Sequence, residues 1–86
     1  MALDLAPHNI RVNCICPGPV DTPLLRSEFP AGEEGREAMV EFGKTHPLGR
    51  VSKPIEQAEA ILFLASDASS YMTGAPLVID GGFTAA

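Results

Sequence analysis

The dipeptide Pro17-Gly18 ends a strand-like run and opens the loop 17–23, whose sequence is PGPVDTP. Three prolines make this segment too stiff and too irregular for a simple connector. In an open α/β sheet, ligands bind in the crevice beyond the carboxyl ends of the strands. A loop at that position, with free backbone groups and the hydroxyl of Thr22, indicates a small-molecule site. The alternative is a proline-rich turn that binds nothing.

Hydrophobic spacing and turn residues predict the elements that position this loop. They are the end of a helix at 1–6, a strand at 10–16, a short helix within 33–42, a helix at 54–66 and a buried strand at 77–79. The order helix, strand, lid, helix, strand describes one crossover unit with two parallel, neighbouring strands. The fold class is therefore α/β, in a single small domain of 86 residues.

The segment 23–53 differs from the rest of the chain because it is rich in proline, glycine and charge. A long segment of this kind inside a compact domain is usually functional, such as a lid, or disordered. The helix that follows carries the apolar stripe Ile55, Ala58, Ile61, Leu62 and Ala65. Further apolar residues widen this surface, so the helix is expected to need a second partner besides a sheet.

Composition excludes several classes of function. The net charge of −5 argues against nucleic acid as a partner. No apolar run reaches the ~18 residues of a membrane span, and the N-terminus lacks the pattern of a secretory signal. Cys14 and Cys16 share one face of the predicted strand, and we interpret them as small core residues rather than half of a metal site. Two reduced cysteines fit a cytoplasmic protein.

Four motifs resemble the short-chain dehydrogenase/reductase family. Residues 5–22 (LAPHNIRVNCICPGPVDT) resemble the stretch after the catalytic helix of that family, and 47–50 (PLGR) resembles the end of its substrate loop. Residues 54–82 resemble its last helix and last strand, through FLASD, YMTG and DGG. The resemblance covers nearly the whole chain and implies the C-terminal part of a doubly wound, Rossmann-like parallel sheet.

The resemblance also implies what this sequence lacks. The family's glycine-rich cofactor turn, its active-site Ser and its Tyr-x-x-x-Lys pair have no counterpart here, since Tyr71 is followed four residues on by Ala75. No catalytic residue is therefore assigned, and the isolated chain is expected to be inactive. DNA upstream of Met1 that encodes these motifs in frame would make Met1 a misplaced start.

Residue by residue, the resemblance implies a cofactor loop and a substrate lid. The residues expected to hold the nicotinamide of NAD or NADP are Pro17, Gly18, Val20 and Thr22. Val20 would bind the carboxamide through its main chain and Thr22 through its hydroxyl. The residues that could line an apolar substrate pocket in the lid 23–53 are Leu24, Leu25 and Phe29, with simple packing of the lid as the alternative.

Three functions remain open at this stage. The first is the C-terminal portion of an NAD(P)-dependent oxidoreductase that acts on an alcohol or a carbonyl compound. The second is a non-enzymatic assembly module, because the family forms dimers and tetramers through surfaces equivalent to 54–66 and 77–80. The third is a truncated product without a function of its own. The sequence names neither the substrate nor the choice between NAD and NADP.

Overall fold

The computed structural model describes residues 1–85, which form two parallel strands and four α-helices. In chain order these elements are α1 (Ala2–Leu5), β1 (Cys14–Pro17), α2 (Pro23–Arg26), α3 (Glu33–Gly43), α4 (Pro54–Ala65) and β2 (Pro76–Ile79). Short 3₁₀ turns lie at Ala6–His8, Asp67–Ser69 and Phe83–Ala85.

The two strands are neighbours and run in parallel, as predicted. Their register pairs Cys14 with Pro76 and Pro17 with Ile79, so both strands end at the same edge of the sheet. The connection between them contains the lid and α4, which is the crossover that a parallel pair requires. The predicted α/β arrangement is therefore confirmed within residues 1–85.

Strand β1 begins four residues later than the sequence predicted, at Cys14 instead of Ile10. The reason is the Asn13 side chain, whose Nδ2 donates to the Met72 carbonyl at 3.0 Å and whose Oδ1 accepts from the Ala75 amide at 3.0 Å. The Gly74 amide still donates to the Val12 carbonyl at 2.7 Å, so these side-chain bonds supplement an incomplete main-chain ladder before β2.

Arg11 fastens the start of β1 to the end of α4. Its Nη2 donates to the carbonyls of Leu64 at 2.9 Å and Ser66 at 3.1 Å. Its Nη1 donates to the Ser69 carbonyl at 2.8 Å, the Ser69 hydroxyl at 3.1 Å and the Met72 carbonyl at 3.2 Å. A cation at this position satisfies carbonyls that the end of a helix leaves unpaired. The alternation of residues along the predicted strand places Arg11 on the face opposite the cysteines, and it predicted no contacts for this side chain.

The lid 23–53 contains two helices, of which the sequence predicted only the longer one, α3. The missed helix, α2, is a single turn with Pro23 at its first position and Thr22 as its N-cap. The Thr22 Oγ1 accepts a hydrogen bond from the Leu25 amide at 3.2 Å. A helix of this length has too few residues to show a hydrophobic period, so only its cap was visible in the sequence.

Helix α4 matches its prediction within one residue, and its apolar stripe is not the side that faces the sheet. The apolar stripe Ile55, Ala58, Ile61, Leu62 and Ala65 is exposed along its whole length. The side that is covered carries Gln57, Ala60 and Leu64. The widest apolar face of α4 therefore points away from the strand pair.

No apolar side chain of residues 1–85 is buried. The radius of gyration is 16.3 Å, and the chain measures 53 × 27 × 21 Å. A compact domain of this length would have a radius near ~12 Å. The strands and α4 are therefore arranged as parts of a larger α/β layer whose other elements are not among these residues.

Two expectations about single residues are wrong. Cys14 and Cys16 are exposed rather than part of a core, because no element within residues 1–85 covers their face of the sheet. Tyr71, which the sequence predicts to pack near the last strand, is fully exposed. His46 lies in a loop, as the sequence predicts, but only 7% of its surface is accessible, and its ring contacts that of Phe42.

Candidate functional site

The loop that follows β1 lies at the carboxyl ends of both strands. The Gly18 amide donates to the Ile79 carbonyl at 2.9 Å, which continues the strand pairing by one residue. A Cβ on Gly18 would lie 2.8 Å from the Asp80 Cα and 3.1 Å from the Asp80 Cβ. Glycine is therefore required here because the backbone after β2 approaches it closely.

Asp80 braces the turn after β2. Its Oδ1 accepts from the Gly82 amide at 3.0 Å, and its Oδ2 accepts from the Thr84 amide at 3.1 Å and the Thr84 hydroxyl at 2.7 Å. The Thr84 hydroxyl is the main cause that lowers the pKa of Asp80. These bonds fix the backbone against which Gly18 packs.

Val20 forms an isolated parallel bridge with Ser52, which the sequence did not reveal. The Ser52 amide donates to the Pro19 carbonyl at 3.0 Å, and the Ser52 carbonyl accepts from the Asp21 amide at 2.9 Å. In this pattern the N–H and C=O of Val20 itself point away from Ser52. Neither group has a hydrogen-bond partner within residues 1–85.

Thr22 combines two roles in one hydroxyl. Its oxygen accepts from the Leu25 amide and caps α2, which leaves the hydroxyl hydrogen free to donate to a second group. Beside it, the Asp21 carboxylate accepts two bonds from the Arg26 guanidinium, at 2.6 and 2.9 Å. This ion pair lowers the pKa of Asp21 and ties α2 to the loop.

An open cavity of about 960 Å³ lies between the loop and the lid. Its apolar wall includes Phe29, Met39 and Val40, and its polar wall includes Arg26 and Arg50. A second, smaller cavity of about 60 Å³ lies at the strand ends, next to Gly18.

Of the three predicted substrate residues, Phe29 lines the large cavity. Leu24 is 76% exposed and Leu25 is half-buried, and neither lies on the cavity wall. None of the four predicted cofactor residues lines the large cavity, although Asp21 and Pro23, the sequence neighbours of Thr22, do. Gly18 lines the smaller cavity.

A chain of aromatic rings joins the lid to the segment after β2. The ring centroids of Phe29 and Phe42 are 5.9 Å apart, those of Phe42 and His46 are 5.5 Å apart, and those of His46 and Phe83 are 5.0 Å apart. These spacings are typical of tilted and edge-to-face packing. Aromatic residues so far apart in sequence gave no periodic signal, so this contact was not predicted.

Residues 1–85 contain neither a candidate metal cluster nor a helix that could span a membrane. No group of three or more His, Cys, Asp or Glu residues is placed to hold a metal ion. Among the same residues, no helix has the length and apolar character needed to cross a membrane.

Comparison with known proteins agrees with this architecture. A family model described as enoyl-(acyl carrier protein) reductase matches residues 1–84. The short-chain dehydrogenase fogB of Aspergillus ruber is 48% identical over 84 residues, which are 96% of this chain and 29% of the relative. The dehydrogenase/reductase SDR family member 6 of Rattus norvegicus is 43% identical, over 98% of this chain and 34% of the relative.

Solved structures show the same fold. A short-chain dehydrogenase family protein from Francisella tularensis superposes with a TM-score of 0.91 at 47% identity, over 99% of this chain and 37% of that chain. The ligand-free aldohexose dehydrogenase of Thermoplasma acidophilum superposes with a TM-score of 0.92 at 39% identity, over 99% of this chain and 35% of that chain.

The chain belongs to the short-chain dehydrogenase/reductase family. It spans about a third of the length of the curated relatives it matches and corresponds to the C-terminal part of their Rossmann-type fold. The resemblance inferred from four short motifs is therefore confirmed. The exposed α4 stripe and the uncovered strand faces are consistent with a part of a larger α/β domain.

Proposed function

We propose that this chain supplies the nicotinamide-side loop and the substrate lid of an NAD(P)-dependent oxidoreductase that interconverts an alcohol and a carbonyl compound. One observation carries the proposal. Two residues near the carboxyl ends of the parallel strands keep free hydrogen-bonding groups. These groups are the main-chain N–H and C=O of Val20 and the hydroxyl of Thr22. Ligands bind at this edge of open α/β sheets.

The groups of the loop fit a carboxamide. A carboxamide has one acceptor oxygen and one donor NH₂ group, and Val20 offers one donor and one acceptor on its main chain. The hydroxyl hydrogen of Thr22 can donate to the same oxygen while its own oxygen caps α2. In this proposal Pro17 and Gly18 shape the floor of the site, and the Val20–Ser52 bridge holds the loop rigid.

Bound NAD or NADP would supply the hydride chemistry, and the residues of this chain would bind and orient it. The lid 23–53 would close the site and exclude water. Its cavity of about 960 Å³ offers Phe29 and other apolar side chains for the carbon skeleton of a small alcohol or ketone. Leu24 and Leu25 remain candidates for substrate contacts once the lid closes.

Acid–base groups for this reaction have to come from outside residues 1–86. The sequence has one tyrosine, Tyr71, and it is fully exposed and lacks a lysine four residues on. Positioned acid–base groups contribute about 10²–10⁴-fold to such a reaction. The isolated chain is therefore expected to show no turnover of alcohols or ketones with NAD(P)⁺ or NAD(P)H.

A chimera tests the proposal. The N-terminal two thirds of the Thermoplasma acidophilum aldohexose dehydrogenase are joined to residues 1–86, which replace the matching C-terminal third of that enzyme. The expected result is that the chimera binds NAD(P)⁺ and oxidises an alcohol from a panel that includes aldohexoses. The N-terminal part alone, with no C-terminal third, is the control. A folded chimera that binds NAD(P)⁺ no better than this control would refute the proposed function.

A second candidate, an assembly module, is favoured by the exposed stripe on α4, where Ile61 is 54% and Leu62 is 68% exposed. Contiguous apolar patches of this kind drive association. In this function Pro54–Ser66 and the strand 77–80 would join a full-length relative into a dimer or a tetramer. Co-elution of the chain with an intact relative, abolished by Leu62→Glu, would support it. Elution of the two proteins as separate species would exclude it.

A further inference from the structure

Gln57 is a buried polar residue for which the sequence offered no role. It lies in the first turns of α4, on the covered side of the helix, and only 7% of its surface is accessible. Its Nε2 donates to the Ser52 hydroxyl and to the Ile79 carbonyl, at 3.2 Å in each case. One amide group thus connects α4 to the end of β2 and to the segment that precedes α4.

Both acceptors of the Gln57 amide are contact points of the loop 17–22. The Ser52 hydroxyl donates in turn to the Pro19 carbonyl at 2.9 Å. The Ile79 carbonyl also accepts from the Gly18 amide at 2.9 Å. Gln57 is therefore linked to the loop twice, to Gly18 through the Ile79 carbonyl and to Pro19 through the Ser52 hydroxyl. Both links lie immediately before Val20.

The orientation of the Gln57 amide is fixed by its partners. The Ile79 carbonyl can only accept, so the nitrogen and not the oxygen of the amide must face it. The Gln57 Oε1 is buried and has no partner among residues 1–85. A buried carbonyl without a partner lowers stability, so burial of this side chain is not explained by stability alone.

We propose that Gln57 is a positioning residue for the cofactor loop. It holds Gly18 and Pro19 at a fixed distance from α4 and β2, through Ile79 and Ser52, and so fixes where the main chain of Val20 points. Gln57 itself touches no cofactor or substrate atom. This inference rests on the proposed function, because a carboxamide is the group that Val20 would hold.

The structure offers a substitution that separates positioning from packing. Gln57→Met keeps nearly the same length and removes both donated hydrogen bonds, and it also removes the unpartnered oxygen. The Ser52 hydroxyl keeps its bond to Pro19, and the Ile79 carbonyl keeps its bond from Gly18. The substitution therefore leaves neither of these groups without a hydrogen-bond partner, and the melting temperature is expected to change little.

In the chimera described above, we expect Gln57→Met to raise the KM for NAD(P)⁺ about tenfold, with kcat at saturating cofactor changed less than twofold. Amide hydrogen exchange provides a readout that is independent of activity. The amides of Gly18 and Asp21, which bond to Ile79 and Ser52, should exchange faster, whereas the Cys14 amide at the other end of β1 should not.

Two variants serve as controls. Glu59→Met places the same side chain on the exposed side of α4 and should leave both readouts unchanged. Ser52→Ala removes the hydroxyl through which Gln57 reaches Pro19, so its effect and that of Gln57→Met should be less than additive.

The outcomes are distinguishable. If the chimera folds but binds no NAD(P)⁺, the proposed function fails and the inference about Gln57 fails with it. If the chimera binds NAD(P)⁺ and Gln57→Met leaves the KM and the exchange at Gly18 and Asp21 unchanged, only the inference about Gln57 is overturned. Faster exchange at Cys14 as well as at Gly18 would also overturn it, because that result indicates a merely structural role.

Discussion

The two ends of the β1–β2 pair are held by different chemistry. At the amino end, one cation, Arg11, donates to acceptors on three segments, and Asn13 supplements the main-chain pairing with side-chain bonds. At the carboxyl end, neutral groups of Ser52 and Gln57 hold the loop, and the main chain of Val20 keeps free hydrogen-bonding groups. The amino end is saturated, whereas the carboxyl end is rigid but leaves groups available to a ligand.

This difference shows how one strand pair can separate stability from binding. An end whose hydrogen-bonding groups are paired stabilises the fold but has no free group with which to bind a ligand. An end with free main-chain groups needs other bonds to keep those groups in place. Substitutions at the amino end should therefore change stability, and substitutions at the carboxyl end should change cofactor affinity as well.

The largest effect is expected from Arg11→Met, which removes all the bonds of the guanidinium at the amino end. Hydrogen bonds from charged donors are worth more than neutral ones, so the free energy of unfolding of the chimera should fall by about 3 kcal/mol. Urea denaturation measures this loss. Arg11→Lys should recover part of it, because an ammonium reaches fewer of the acceptors.

The same variant tests the separation of the two ends. With enough residual stability to fold, Arg11→Met should leave the KM for NAD(P)⁺ unchanged. A large rise in this KM, with most of the stability retained, would show that the two ends are coupled through the strands and would contradict the comparison.

The next effect is expected from Gly18→Ala at the carboxyl end. The added Cβ would lie 2.8 Å from the Asp80 Cα, so the loop or the turn after β2 must move. Overpacking of this kind costs about 1–3 kcal/mol. Here both the stability and the cofactor affinity of the chimera should fall, because the loop that moves also carries Val20. If neither the stability nor the cofactor affinity changed, the loop would be able to move away from β2 without a cost in free energy.

Thr22→Val separates the two roles of one hydroxyl. Loss of the α2 cap should cost about 1 kcal/mol of stability. Loss of the free hydrogen should raise the KM for NAD(P)⁺ about tenfold, the value of one hydrogen bond. Thr22→Ser keeps the hydroxyl and is the matched control, for which both values should stay close to those of the parent chimera. A stability loss with an unchanged KM would assign Thr22 to the cap alone.

The sequence predicted the elements whose signals are local. Pro54 and the apolar residues after it located α4, and the Pro17-Gly18 break located the end of β1. The contacts at both strand ends were not predictable, because most of them join residues that are distant in the sequence and use side chains without a local signature. The Val20–Ser52 bridge and the bonds of Arg11 are of this kind.

The predicted stripe on α4 shows a different limit of sequence reasoning. Periodicity finds an apolar face but does not say which partner covers it. The sequence predicted that one face of α4 covers the sheet and that another needs a second partner, without indicating which, and the strand pair lies against the side that carries Gln57. Gln57 lies at helical spacing from Ala60 and Leu64, and the sequence predicted no role for it.

The smallest expected effect concerns the charge of Glu56, at the start of α4 near the carboxyl end. Its carboxylate accepts two bonds from Arg50, each 2.8 Å long, and one from the Lys53 amide at 2.7 Å. These bonds lower the pKa of Glu56 from its usual 4.5 to about 2. A lowered pKa in the folded state means that the ionised group stabilises the fold, so this contribution is present above pH 4.5 and is lost as the pH falls toward 2.

Glu56→Gln isolates the charge, because a glutamine oxygen can still accept from the Lys53 amide. The difference in stability between the chimera and this variant should be constant from pH 7 to pH 5, shrink below pH 4.5 and vanish near pH 2. It should also be small and decrease with added salt, since the pair is partly exposed. Arg50→Gln should reproduce the effect. A difference that persists unchanged to pH 2 would show that the charge of Glu56 is not the source of its contribution, and the carboxyl end would then rest on neutral bonds alone.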